Sequence, residues 1–466
     1  KVSAINLGKA NKNTLSPTVA AVTKEHTDPL PTVHESIPAE YRSQFEDLVQ
    51  HYKDIFHNDF STDSWDTPAA SIELKPGARP FHANPFRLPA AHQEAMRTII
   101  EKFIKEGVVV PSNSPWAAPC FLVPKPGGAL RFVIDYRVLN GFTTRCHWPL
   151  PNIEDLLMRM SHAKVFSVFD AHTGFHQMPL DKEAQYLTSF IAPFGQFMYT
   201  RLPMGLANAP SLFMRGMSDF TRDLINVVVF VDDITVYNGA EAHTTEALYR
   251  NHLRYLTSFF AKCRAKHLKL NGKKSTIGAP EINYLGHRIN AAGIFPAPSK
   301  VDAVQSFAQP SNVTQVKQFL GIVNYYRQWI PQCAKLQLPL NMLTRKDVDF
   351  HWTEECEYSF QTLKAGLTND CVRRFPDPNL TYHLETDSSD YAIGAVLSQR
   401  GVDQTDDRQV ISYYSRCLSG AELNYSAYEK ECLAIVAAIT YYRPYLATEA
   451  KFYVHTDHRS LATVLS

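Results

Sequence analysis

No apolar run in the 466-residue chain approaches the roughly 20 residues that a membrane-spanning helix needs, so no membrane segment is predicted. Cysteine is sparse and scattered: the eight at 120, 146, 263, 333, 356, 371, 417 and 432 form no C-x-x-C pair to suggest a zinc site. They read as reduced, partly buried thiols of an intracellular protein. Neither sign of charge prevails, and with a formal net charge of +1 any footprint on a polyanion has to be local. The start, Lys1-Val2-Ser3-Ala4, has neither an initiator Met nor a signal-peptide apolar region, and reads as an internal piece of something longer. What is present is ordinary for folded protein, at 45% hydrophobic content and a length that suits roughly two to four domains.

One apolar stretch is interrupted by charge. Asp232 and Asp233 follow Val227 to Val231, and the apolar pattern resumes at Ile234, Val236 and Tyr237. A carboxylate left unpaired beside buried strands is heavily penalised or shifts its pKa. Between Ile225 and Tyr249 there is no Lys or Arg, so a divalent metal is the simplest counter-charge, and carboxylates are the hard oxygen ligands Mg²⁺ prefers. A second short apolar strand, Val165 to Phe169, ends in Asp170. If the two strands are neighbours, three carboxylates converge and could bridge two metals about 4 Å apart, the arrangement for nucleotidyl transfer. For Asp232-Asp233 alone, a solvated hairpin turn is the plainer alternative.

Residues 1 to about 80 are rich in Pro, Thr, Ser and His and read as a linker with one short amphipathic helix near Tyr41 to Phe56. A helix over about 90–106 is predicted next, then strands around the Pro126-Gly127-Gly128 turn, a hairpin tip. Lys262, Arg264, Lys266, Lys269, Lys273 and Lys274 run together without an acid, as a phosphate-contacting patch or as the solvated face of a surface helix. Pro296, Pro298 and Pro310 punctuate a boundary. Beyond it Lys317, Gly321 and Tyr325 fall at i, i+4 and i+8 on one helix face. From Thr381 alternating strands and a helix near 426–442 define a separate α/β unit.

Ordered motifs then run almost without a break from Ser114 to Leu465. They include Ser114-Pro115-Trp116, Arg131-Phe132-Val133-Ile134-Asp135-Tyr136-Arg137-Val138-Leu139-Asn140, Gly174-Phe175-His176-Gln177 and Leu202-Pro203-Met204-Gly205-Leu206-Ala207-Asn208. Phe230-Val231-Asp232-Asp233, Tyr284-Leu285-Gly286-His287, Phe319-Leu320-Gly321 and Glu385-Thr386-Asp387 continue the series. In this the chain resembles the reverse transcriptase and ribonuclease H region of gypsy-class (Metaviridae) LTR-retrotransposon Pol polyproteins. The resemblance implies an α+β right-hand polymerase (fingers, palm, thumb) followed by an α/β ribonuclease H-like domain truncated at its C-terminus. The expected divisions are 1–80 linker, 81–295 fingers and palm, 296–375 thumb and tether, and 376–466 ribonuclease H-like.

What the resemblance implies for function is a DNA polymerase that copies RNA or DNA from a primer 3′-hydroxyl, with an attached nuclease for the RNA strand of hybrids. It assigns Asp170, Asp232 and Asp233 to the polymerase metal site, and Asp387, Glu429 and Asp457 to the nuclease metal site. Lys125 and Arg131 become triphosphate contacts, Phe175 the ring that excludes a 2′-hydroxyl, and Met204 and Gly205 pocket lining. Leu285, Gly286 and His287 resemble the hairpin that positions the primer end, while Lys317, Gly321 and Tyr325 match a face that tracks the duplex. The cofactor implied is Mg²⁺, with Mn²⁺ as its substitute. Partners implied are RNA template, DNA primer, RNA–DNA hybrid, dNTPs, a second copy on the substrate and the other Gag and Pol parts, within a cytoplasmic virus-like particle. Protease, integrase and nucleocapsid signatures are absent from these residues.

Overall fold

The computed structural model describes residues 29–56, 64–124, 128, 130–239, 244–368, 371–400, 408–447 and 451–461. Lys125, expected at the triphosphate, lies outside them. Four sheets organise the described residues. The central one runs in the order Thr32–Val33, Thr276–Ala279, Val165–Asp170, Asp233–Asn238, Val227–Phe230. Its strands are short and β-branched, as half-buried pleated surfaces favour. Val227, Val229, Ile234 and Val236 are buried in one core with Phe213 and Met217 of the helix Ala209–Thr221 and Phe259 and Phe260 of the helix Thr245–Ala265. This is the palm.

A second five-stranded sheet, Val109–Pro111, Gly195–Tyr199, Phe190–Ala192, Ala118–Pro124 and Leu130–Ile134, forms the fingers. On the palm's other side a three-stranded meander, Glu281–Tyr284, His287–Asn290 and Gly293–Pro296, leads into the thumb helices Pro298–Gln305, Val313–Tyr325, Cys333–Met342 and Glu354–Ala365. Thumb and palm share a core, since Phe166 and Val228 cluster with Val316, Phe319 and Phe360. The last sheet orders Gln409–Cys417, Ala392–Arg400, Thr381–Ser388 and Tyr453–His455, with the helix Ala427–Tyr441 packed on it. The expected hand and C-terminal α/β unit are both present.

The expectation of a linker over 1–80 is corrected from residue 29 onward. Thr32–Val33 pairs in parallel with Thr276–Ile277 as the fifth palm strand, and Phe45, Val49, Ile55, Phe56 and Trp65 are buried in the palm core. Trp65 sits edge-on to Phe213 at 5.5 Å, and a Cβ on Gly216 would come within 2.7 Å of its ring. Glycine weakens a helix interior by about 1 kcal/mol, and here it makes room for the indole. Composition had concealed this, because a few widely spaced apolar anchors are enough to dock a polar segment.

Of the two readings of the basic run near 262–274, the structure adds ion pairs to the surface-helix one. Lys262 pairs with Asp223, Arg264 with Asp54, Lys266 with Asp66 at 2.7 Å and Lys274 with Asp170 at 2.8 Å. Two of those acids belong to the N-terminal segment. Arg264, Lys266 and Lys269 therefore fasten that segment, and Lys274 the acidic strand end.

Candidate active sites

Antiparallel pairing of Val165–Asp170 with Asp233–Asn238 sets Asp170 directly opposite Asp233. The backbone ties the two strand ends again where the Ala171 N–H donates to the Asp232 carbonyl at 3.0 Å. Val231, between Phe230 and Asp232, has φ +57°. That is an unfavoured conformation for a β-branched residue, and it places Asp232 in a two-residue turn between paired Phe230 and Asp233. The turn is supported from beneath by the Val231 N–H, which points at the Met214 sulfur at 3.4 Å. Local strain of this kind clusters at functional sites.

The electrostatics follow from the crowding. Burial, then the charges of Asp232 and Asp170, push the Asp233 carboxyl up to about 6, with Lys274 acting in the opposite direction. Lys274 is itself held above the ordinary lysine range, chiefly by its hydrogen bond to Asp170. The cation absent from the local sequence thus arrives from another loop. Among the described residues no three His, Cys, Asp or Glu side chains are gathered closely enough to chelate an ion as they stand. The donor set nevertheless fits one: hard oxygens, mutual repulsion strong enough to raise a pKa, and an ammonium already drawn to Asp170.

Gln177 of the predicted motif is a clamp. Fully buried, it donates to the carbonyls of His172 (2.8 Å) and Lys269 (2.9 Å) and accepts from the Lys269 N–H (2.7 Å). It thereby joins the loop after Asp170 to the loop that carries Lys274. Phe175, two residues before it, is partly buried and meets Phe213 edge-on at 5.2 Å. Arg131 and Met204 are brought together, the guanidinium donating to the sulfur at 3.4 Å. Asn140 holds the Met204-Gly205 loop by donating to the Gly205 carbonyl (2.9 Å) and accepting from the Ala207 N–H (2.8 Å).

Leu285 and Gly286 both adopt positive φ, +48° and +78°, as a two-residue turn between paired Tyr284 and His287 requires. The Tyr325 hydroxyl donates to the Leu285 carbonyl, so the turn and the helix face expected to track a duplex form one surface. Lys317, Gly321 and Tyr325 are exposed along it. His287 departs from expectation. It is buried, stacked between Tyr325 at 5.3 Å and Trp329 at 5.2 Å, and burial aided by Arg373 lowers its pKa to about 4. It supports the turn from within.

In the C-terminal unit Asp387 lies near the end of Thr381–Ser388 and is exposed. Tyr453–His455 runs parallel to that strand with Glu385 opposite His455, and Asp387 and Asp457 each follow two residues beyond that pair. Glu429 is corrected. Its carboxylate accepts from the Ser426 N–H and hydroxyl, both at 2.8 Å, while Ser426 caps the Glu429 N–H: a capping box at the helix start. Glu431, absent from the expected set, turns toward the sheet and accepts from the Ser388 N–H (3.0 Å) and hydroxyl (2.6 Å), beside Asp387. Its second oxygen is buried without a partner, the condition of a carboxylate built to hold a cation. Ser426-x-x-Glu429 was a legible cap signal and could have redirected the choice.

Residues 123–289 match the family model of the reverse transcriptase (RNA-dependent DNA polymerase), and residues 352–454 that of the RNase H-like domain found in reverse transcriptase. Among curated proteins, the Pol polyprotein from transposon 412 of Drosophila melanogaster is 33% identical over 446 residues, covering 94% of this chain and 35% of the relative. The transposon Tf2-3 polyprotein of Schizosaccharomyces pombe is 32% identical over 422 residues, covering 89% and 31%. The chain spans about a third of the length of these relatives. A solved foamy viral protease-reverse transcriptase in complex with dsDNA superposes with a TM-score of 0.77 at 22% identity, over 92% of this chain and 88% of that one. Its counterpart with RNA/DNA hybrid gives 0.74 at 21%, over 91% and 57%. The chain therefore carries a reverse transcriptase domain with the right-hand fold, joined to an RNase H-like domain.

Proposed function

We propose that this chain is an RNA- and DNA-templated DNA polymerase of the gypsy class that extends a primer 3′-hydroxyl with dNTPs, with an RNase H-like unit directed at the RNA strand of hybrids. The observation that carries this reading is the meeting of Asp170, Asp232 and Asp233 at adjoining strand ends, with Asp233 pushed up to about 6 by its neighbours. Mg²⁺ would be held by Asp170 and Asp232, with Asp233 beside them, and when bound neutralises charge on the attacking and leaving oxygens. Arg131 supplies a fixed positive charge for the triphosphate and Met204 the pocket wall next to it. Phe175, held edge-on by Phe213, excludes a 2′-hydroxyl by bulk. The exposed face of Lys317, Gly321 and Tyr325 follows the duplex by shape. Asp387, Asp457 and Glu431 would supply the second carboxylate set. Replication of a retrotransposon inside a virus-like particle, by one copy or by two on the substrate, is the setting this activity suits.

Incubation of the chain with a labelled DNA primer on an RNA template, dNTPs and Mg²⁺ tests the reading. Extension is expected. Asp232→Asn should abolish it while leaving primer–template binding intact, because the loss lies in transition-state charge stabilisation. Extension by the variant within about tenfold of wild type overturns the assignment. Tight binding without extension by the wild-type chain favours a silent nucleic-acid-binding scaffold instead.

A further inference from the structure

Arg373 lies between the thumb helices and the C-terminal sheet and is 1% exposed. Its guanidinium donates to both oxygens of Glu154 on the palm helix Ile153–Arg159, to Gln328 Oε1 in the thumb at 2.5 Å and to the Ile411 carbonyl of the C-terminal sheet at 2.9 Å. Its backbone bridges to Ile294 of the meander, and the Trp329 ring lies 4.7 Å from the charge. From the C-terminal unit, the Tyr445 hydroxyl donates to Glu154 at 2.9 Å and the Tyr441 hydroxyl accepts from Gln328 at 2.6 Å. One ion pair therefore joins palm, meander, thumb and C-terminal unit.

The surroundings make that pair decisive for orientation. A cavity of about 540 Å³ opens between the palm helix and the C-terminal unit, lined by Asp155, Met158, Tyr382, Ser412 and Tyr441 among others. An apolar dock would fill such a space. Here the strand Gln409–Cys417 packs on the thumb elements Cys333–Met342 and Arg327–Trp329, while on the palm side directional polar contacts bridge the gap. Buried ion pairs contribute little net stability, yet a different docking angle takes the Ile411 carbonyl from Arg373 and the Tyr445 hydroxyl from Glu154, leaving buried polar groups short of partners. The Trp329 ring that carries Arg373 also stacks on His287 beneath the Leu285-Gly286 turn, so the junction reaches the surface proposed to hold the primer.

We propose that Glu154 and Arg373, with Tyr445 and Gln328, form a positioning latch that fixes the RNase H-like unit at one angle behind the polymerase site, so that a bound duplex meets the two sites at constant spacing. This rests on the reading of the chain as a polymerase acting on duplexes. The test is hydroxyl-radical footprinting of a primer–template bound to the full chain, paired with hydrogen exchange on the free protein. Wild type should give sharp front and rear boundaries. Glu154→Gln and Arg373→Met should keep the front boundary and primer extension but spread the rear boundary. Tyr445→Phe, which removes a single hydroxyl, should spread it less.

In the free variants, exchange in Gln409–Cys417 and Arg443–Leu446 should quicken about tenfold or more, with Val227–Phe230 and Asp233–Asn238 unchanged. An unchanged rear boundary and unchanged exchange overturn the latch. Loss of both boundaries together with palm protection overturns it too, since the pair would then hold the fold and not the angle. If the wild-type chain protects no duplex, the polymerase reading is what fails. The exchange arm then still decides whether the pair orients the C-terminal unit.

Discussion

Replacing Asp233 by Asn removes one charge from a cluster that holds Asp170 and Asp232 on adjoining strand ends, with Lys274 bonded to Asp170 at 2.8 Å. Burial and the neighbouring carboxylates push the folded carboxyl up to about 6 from an ordinary 3.8. Two pKa steps at about 1.4 kcal/mol each set an upper bound of about 3 kcal/mol. Because Asp233 is only half-buried, solvent screening reduces the expected gain to about 1–1.5 kcal/mol. The sign follows from linkage: an acid whose folded pKa is raised destabilises the fold when ionised, so the penalty is fully present above about pH 6 and fades as pH falls toward 3.8. In EDTA, urea unfolding at about pH 7.5 should therefore find Asp233→Asn more stable than wild type, and the advantage should be largely gone by about pH 4. Added Mg²⁺ should then stabilise wild type more than the variant, since the carboxylate that repels its neighbours also helps to hold the ion. A variant no more stable than wild type at the higher pH, or an advantage that persists undiminished in acid, refutes the argument.

Glu431→Ala should weaken Mn²⁺ binding to the C-terminal unit, followed by paramagnetic titration, whereas Glu429→Ala should leave binding unchanged and slightly lower stability, because it removes the reciprocal half of the capping box while Ser426 still caps the helix. Equal binding by both variants would return the assignment to an open question between the two acids. Trp65→Ala should destabilise the palm by about 3–5 kcal/mol, read from the urea midpoint; a loss below about 1 kcal/mol would mean that the N-terminal segment is not part of that core. Phe175→Ala should raise ribonucleotide incorporation relative to dNTP use in primer extension, and an unchanged ratio would remove the gate role.

The acidic strand ends were legible from sequence because the signal is local: charge set into an apolar run has few benign explanations. The Leu285-Gly286 turn and the exposed face of Lys317, Gly321 and Tyr325 were legible for the same reason, since a two-residue turn and a four-residue spacing are properties of one element. Glu429 and Glu431 show the limit of that method. They lie two apart on one helix, and which of them enters the sheet is settled where the helix begins, by the Ser426 cap.

By itself, then, the sequence determined the elements, their apolar faces and the places where carboxylates end strands. Tertiary structure alone decided which charges neutralise one another. Lys274 reaches Asp170 across 104 positions of chain, Arg264 and Lys266 find acids in the N-terminal segment, and Arg373 meets Glu154 across 219. It also decided that His287 is a buried support and that residues 29–56 and Trp65 complete the palm. The reason is physical: periodicity and capping act over a few residues along one backbone, whereas counter-charge and burial depend on which surfaces the packed elements bring face to face.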